Sequence, residues 1–235
     1  MKSLLSILAI FYFSQTMNAQ GVVVPGGGVA VSNYSSPPTH LRELFRDAIA
    51  PKPHMDVSGS PFLFDNFLLA RLRFWDDRVA DSVLIKLNVY DNKVHFIDEN
   101  GEEMQAIIAI KEITIIAKNP TWQGYVYRTG FSGGGSDFFQ VLADGKKIQL
   151  LKKVRLNIWE SRALGEQNKK SFQYEEELYF ATDNTVYVES KKCFSVIAGL
   201  MEKHQEKVRQ FVTDNNTRCN KEEDMRKLVE YYNNL

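Results

Sequence analysis

The sequence predicts an α+β fold that is mainly β. We expect a long antiparallel meander of about nine or ten strands in a curved sheet or partly open barrel, followed by two C-terminal helices. Three observations predict this. Residues 61–190 alternate apolar and polar side chains with period two and are punctuated by tight-turn dipeptides. Past Ser190 the apolar period becomes 3.6. The first 60 residues carry neither pattern and divide into an apolar leader and a Gly/Pro-rich stretch.

The leader spans residues 1–19. Lys2 supplies a positive charge, Leu4 to Phe13 runs apolar except for Ser6, and Met17-Asn18-Ala19 places a small residue before Gln20. This is the order of a secretory signal peptide, with cleavage expected between Ala19 and Gln20. The apolar run is about ten residues against the roughly 20 of a spanning helix, so no transmembrane anchor is expected in the mature protein. No cysteine lies near the cleavage point, which disfavours a lipid anchor. A periplasmic or secreted protein follows.

Residues 20–60 read as a linker. Pro25-Gly26-Gly27-Gly28 and Pro37-Pro38 break regular structure. One short helix fits Leu41 to Ala50, with Thr39 as its cap and Leu41, Leu44, Phe45 and Ile49 on one face. It is read as a cover for an open sheet edge in preference to a docking arm.

The β domain, residues 61–190, opens with a strand from Leu68 to Trp75 and a turn at Asp76-Asp77-Arg78. Val83, Ile85, Leu87 and Val89 share one face of the next strand, and Asp91-Asn92 turns it into Lys93 to Ile97. Asn100-Gly101 is the strongest hairpin dipeptide of the chain. Strands are expected at 104–110, 113–117, 125–127 and 138–142, and Asp144-Gly145 turns the last of these into 147–151. The stretch 154–159 continues that strand or forms another. Phe172 to Phe180, Asp183-Asn184 and Thr185 to Val188 close the series. Connections this short make neighbours antiparallel.

In residues 191–235, Phe194, Ile197, Leu200, Met201, His204, Val208, Phe211 and Val212 fit one long helix. After Asp214-Asn215-Asn216-Thr217, Asn220 and Glu223 form a capping-box pattern ahead of the Met225, Leu228, Val229 and Tyr232 stripe. The two cysteines, Cys193 and Cys219, would pair by default in an oxidising compartment. A straight helix of about twenty residues from Cys193 spans roughly 30 Å and would hold them apart, so an intramolecular disulfide is disfavoured.

Composition excludes some partners. Lys plus Arg and Asp plus Glu are 29 each, so a strongly basic partner surface is not indicated and nucleic acid is not expected. Hydrophobic content of 44% is enough for a sizeable core. Catalytic residues are not evident. His40, His54, His95 and His204 stand without acidic or thiol groups at metal-ligand spacings, so no metal and no cofactor are expected. Carboxylates cluster at Asp76-Asp77, Asp98-Glu99, Glu102-Glu103 and Glu175-Glu176-Glu177, mostly in turns that face solvent, although alternation could turn Glu176 inward. Ser132-Gly133-Gly134-Gly135-Ser136 lacks the Lys and helix of a phosphate loop and reads as a flexible connection. Its glycines sit beside Phe131, Phe138 and Phe139, which are the candidate ligand-binding residues at a barrel mouth.

Leu87-Asn88-Val89-Tyr90-Asp91-Asn92, Val141 to Lys152, and Leu228-Val229-Glu230-Tyr231-Tyr232-Asn233 resemble segments of uncharacterised exported β-rich proteins of Bacteroidota-type bacteria. That resemblance spans roughly residues 60–235 and implies a Gram-negative envelope setting, without an activity or functional residues to carry over. Three functions stay open. The first is an exported, soluble, non-enzymatic protein that binds an envelope protein or an apolar, lipid-like ligand. The second is a structural or accessory subunit of an envelope complex. The third is an unrecognised hydrolase using scattered carboxylates.

Overall fold

The structure, a computed structural model, describes residues 45, 49–50, 56–116, 121–161, 169–182, 185–188, 199 and 201–235. The leader with its Ala19–Gln20 junction, His40, His54 and Cys193 lie outside the described residues.

The fold is mainly β with two C-terminal helices, as the period switch predicts. The strands are β1 (Val57–Ser58), β2 (Leu68–Phe74), β3 (Val79–Asn88), β4 (Lys93–Ile97), β5 (Glu103–Gln105), β6 (Ile110–Ile115), β7 (Val126–Arg128), β8 (Phe139–Ala143), β9 (Gln149–Ser161), β10 (Lys169–Thr182) and β11 (Thr185–Val188). They form one open sheet in the order β1-β10-β9-β8-β7-β6-β2-β3-β4-β5, with β11 also on β10. All pairings are antiparallel except β1 with β10. The 147–151 and 154–159 runs are one strand, β9, whose 13 residues pair with β10 along their whole length.

The sheet curls strongly. β10 and β3 lie six strand steps apart in the order, roughly 29 Å along a flat sheet at about 4.8 Å per step. Yet Ser58 pairs beside β10 while Phe62 bridges Asn88 of β3, and four residues of chain reach only about 14 Å. The 57–63 segment therefore ties two distant strands together. Its hydrogen bonds run from Leu63 N to Leu87 O and from Val89 N to Pro61 O, both at 2.9 Å. Inside the curl, Leu72, Phe74, Ile85, Leu87, Phe96 and Ile113 form the main core.

The sheet also recruits residues ahead of 61. Phe45 stacks on Phe96 at 4.1 Å between ring centroids, and Ile49 exchanges two backbone hydrogen bonds with Gln105 of β5. Ile49 is thus an extended edge residue, which departs from the helix expected over 41–50. The edge-covering role holds at this residue. Of the rest of that span, only Phe45 and Ala50 are among the described residues.

The C-terminal region departs from expectation in two ways. Helix α1 spans Gln205–Asp214, preceded by a 3₁₀ turn at Glu202–His204, and both Met201 and His204 have non-helical dihedrals. The long straight helix from residue 193 is interrupted there, which removes the reason for disfavouring a disulfide. Cys219 is disulfide-bonded, whereas Cys193 lies outside the described residues. Helix α2 spans Glu222–Asn233 with no side-chain cap. Asn220 lies too far upstream to cap it. Glu222, Glu223 and Asp224 instead complement the dipole of its first turn.

Met225, Leu228 and Val229 of α2 pack with Leu150 and Phe180 in a second core. At its end, Asn233 Oδ1 accepts from Lys147 N (3.0 Å) and Ile148 N (3.3 Å), and Asn233 Nδ2 donates to Ile148 O (2.8 Å). The side chain lies so close over the Asp144-Gly145 turn that a Cβ on Gly145 would fall 2.2 Å from it. No helix among the described residues is long and apolar enough to cross a membrane.

Candidate functional site

The site grows out of one row of side chains on the face of the sheet opposite the main core. Leu68, Ala70, Leu72 and Phe74 of β2 are buried, so alternation puts Arg71 and Arg73 on the other face. Arg73 lies opposite Glu112 of β6, which lies opposite Arg128 of β7. Opposite charges thus alternate across three strands. The register of β6 slips beside this row: Ile110 faces Phe74 and Glu112 faces Arg73, leaving Lys111 as an extra residue. Such a bulge re-aims a side chain, and here Lys111 joins Arg73 and Glu112 on the same cleft wall. Thr129 holds the bulge, its Oγ1 donating to Ile110 O at 2.7 Å and its N–H to Lys111 O at 3.0 Å.

A cleft of about 380 Å³ opens between these residues and the β2–β3 turn, lined also by Trp75, Gly130, Phe131 and Gln149. Gly130 has φ +82°, and a Cβ there would fall 2.2 Å from the Trp75 ring, so only glycine lets the indole settle against the cleft. Trp75 is still 50% exposed. Lys111 Nζ sits 5.5 Å from its ring centroid and 3.7 Å from Asp77 at the mouth.

The cations differ in what holds them. Arg128 Nε donates to Glu112 at 2.6 Å, and its Nη1 pairs with Asp144 at 2.8 Å. Burial opposes the Arg128 charge, but these two carboxylates outweigh it and hold its pKa above the ordinary value. Burial likewise opposes the Asp144 charge, and hydrogen bonds from Gln149 and Arg128 overcome it and hold the carboxyl below its usual range. Arg73 meets Glu112 only at 3.9 Å, beyond hydrogen-bond distance. Neither Arg73 nor Lys111 makes a hydrogen bond among the described residues, and their side chains are 50% and 40% exposed.

Of the three candidate phenylalanines, Phe131 and Phe139 meet edge-on at 5.5 Å in one buried cluster, and Phe138 stands apart. Phe131 lines the cleft. Phe139 is buried with Leu151 and Tyr179 in a third core beneath it. Phe138 packs against the main core. The 132–136 loop beside them is anchored at its end, where Asn92 Nδ2 donates to Ser136 O and Asn92 Oδ1 accepts from Phe138 N at 3.1 Å. Arg73, Trp75 and Lys111 escape sequence reasoning. Alternation along Leu68–Phe74 could have placed Arg73 outward, but nothing in the residues announces the bulge that recruits Lys111.

A second polar group lies on β4. His95 is buried, and its Nδ1 lies 2.7 Å from Glu103 Oε1. Its Nε2 has no partner, and the Phe62 ring packs edge-on at 5.0 Å. The hydrogen bond with His95 holds the Glu103 carboxyl below its usual range, against its partial burial. Burial raises the Tyr127 phenol well above its ordinary pKa, and its hydroxyl is unpartnered. Glu176, the acid that alternation could turn inward, is exposed and faces Lys152 at 3.6 Å. No group of three metal-ligating side chains occurs among the described residues.

No family model, no curated protein and no solved structure matches the chain.

Proposed function

We propose that this is an exported, non-enzymatic binding protein of the cell envelope that recognises a polar partner or ligand through the Arg73–Trp75–Lys111 cleft. One observation carries the reading. Arg73 and Lys111 stand in a concave, half-exposed site and make no hydrogen bond among the described residues, beside an indole held in place by a glycine. The lining contains a single carboxylate, Glu112, and it is committed to Arg128. A hydrolase built on two converging carboxylates finds no support in that arrangement. A lipid-like ligand is less well matched than a polar one, because the cleft walls are charged. The leader pattern of residues 1–19 supports export.

Native mass spectrometry of the protein purified from its own host tests this reading. The expected result is a chain that begins at Gln20 and carries a bound mass, lost when Arg73 and Lys111 are both replaced. A clean apo monomer overturns it. The accessory-subunit reading has one observation of its own: Ile158 and Trp159, at the far end of the β9–β10 ribbon, are 36% and 58% exposed. A co-purifying protein released by Trp159→Ala, and unaffected at the cleft, would favour it.

A further inference from the structure

We infer that the cleft is an oxyanion site, built to take a carboxylate or phosphate group carried on a small organic molecule. The inference deepens the binding reading above and rests on it. The argument begins with hydrogen bonding. A guanidinium offers five N–H donors and an ammonium three. Arg128 spends its donors on Glu112 and Asp144. Arg73 and Lys111 spend none among the described residues, and both line the same cleft.

Their placement is built into the fold. Arg73 is fixed by strand alternation in β2, whose neighbours Leu72 and Phe74 are fully buried. Lys111 is fixed by the bulge, by the Thr129 clamp on that bulge and by the indole of Trp75. Trp75 is in turn fixed by the close approach to Gly130. Two converging cations on rigid strands meet an anionic oxygen with little ordering cost. Glu112 does not block the site. Its Oε2 is bound to Arg128, and it leaves Arg73 at 3.9 Å, a separation that lets the guanidinium turn to another acceptor. Asp77, the acid nearest Lys111, is 84% exposed, so water screens its 3.7 Å pairing and an incoming anion can displace it.

The size of the space selects the ligand class. A bare phosphate or carboxylate fills a small part of about 380 Å³. Small-molecule sites begin at roughly 300 Å³. The remaining walls are Trp75, Phe131, Gln149 and the backbone at Gly130, which suit a compact body with both apolar faces and hydrogen-bonding groups. A phosphorylated or carboxylated monosaccharide has that chemistry. The phosphate and carboxylate sources share the oxyanion, and the measurement separates them.

Isothermal titration of the purified protein at low salt, with inorganic phosphate, glucose 1-phosphate and glucuronate as separate titrants, tests the inference. Saturable binding of glucose 1-phosphate or glucuronate is expected, at least tenfold tighter than inorganic phosphate. It should weaken tenfold or more in Arg73→Gln and in Lys111→Gln, and weaken again at high salt. Both side chains are half-exposed, so the variants should melt like the parent, and either one alone suffices if the other fails to fold. A binding preference for the phosphate or the carboxylate sugar identifies the source. Absence of saturable binding to all three titrants overturns the oxyanion inference, as does binding that survives both substitutions. The wider reading fails separately: if native mass spectrometry still finds a bound mass that depends on Arg73 and Lys111, only the ligand class is wrong.

Discussion

The outer face of the sheet carries two polar groups built from the same materials with opposite results. On β4 and β5, His95 and Glu103 pair at 2.7 Å beneath the Phe62 ring, and His95 is 3% exposed. On β2, β6 and β7, the Arg73–Glu112–Arg128 row runs from a half-exposed Arg73 to a largely covered Glu112 and Arg128. The first group is closed by the 57–63 segment, which lies along the end of β3. At the second, the bulge in β6 adds a third cation. Covering a polar row turns it into a structural clasp whose groups must satisfy one another. Leaving Arg73 and Lys111 half-exposed keeps their donors available for something that is not part of the chain.

Substitutions can break the comparison if the two groups respond alike. The largest effect is expected for His95→Ala, which leaves a cavity under Phe62 and a partly buried carboxylate without its partner. We expect a loss of about 2–4 kcal/mol by denaturant unfolding. A loss under 0.5 kcal/mol would show that the pair is no clasp.

Asn233→Ala comes next. It removes three hydrogen bonds from the Asp144–Ile148 hairpin and should cost about 2 kcal/mol. Wild-type thermal stability in this variant would mean that α2 docks through its apolar stripe alone.

Glu103→Gln should cost about 1 kcal/mol at neutral pH and change the acid response. The Glu103 carboxyl is held below its usual range by the His95 hydrogen bond, and the nearby Lys86 acts in the same direction. A depressed carboxylate contributes stability that is present above its unfolded pKa of about 4.5 and is lost as pH falls through the lower folded value. Below about pH 4.5 the wild type should therefore lose stability faster than Glu103→Gln. Parallel pH profiles would remove Glu103 from the clasp.

The smallest stability effect belongs to the cleft. Arg73→Ala and Lys111→Ala should each change unfolding free energy by less than about 0.5 kcal/mol, because both side chains are half-exposed and make no hydrogen bond among the described residues. A loss above 1 kcal/mol would make the open row a structural feature and end the contrast.

Much of the architecture could be read from residues because hairpins are local. Asp76-Asp77, Asp91-Asn92, Asn100-Gly101 and Asp144-Gly145 all turn the chain where their chemistry predicts, and Asp77, Asn92 and Gly101 take the positive φ such turns use. The burial phase of β2 and β3 follows directly from alternation. What escaped depends on distant partners. The fate of Ile49 is decided by Gln105, and that of His95 by Glu103 and Phe62. The helix break at Met201–His204 has no Pro or Gly at those residues to announce it, and a straight helix there is the premise that argues against a bonded Cys219. At the site, glycines beside aromatics singled out Phe131, which lines the cleft. They singled out Phe138 and Phe139 equally, because which aromatic faces the cleft depends on the packing of β8 against β7 and β9. The charges that make the cleft chemically distinct were invisible as a group, since they come from three strands and a register slip.

The parallel pairing of β1 with β10 has a consequence for the order of assembly. Most other pairings join consecutive strands, and β2 with β6 closes over three intervening strands, whereas Ser58 and Lys170 are 112 residues apart. Chain emerging in the N-to-C direction must hold residues 57–63 unlatched until β10 has been delivered and zipped to β9. The closure entropy of so long a loop is recovered only at that moment. The strap that shields His95 is therefore among the last parts of the molecule to settle. A pulse of hydrogen exchange during refolding should find amides such as Leu63 and Val89 protected after those of the β9–β10 ribbon.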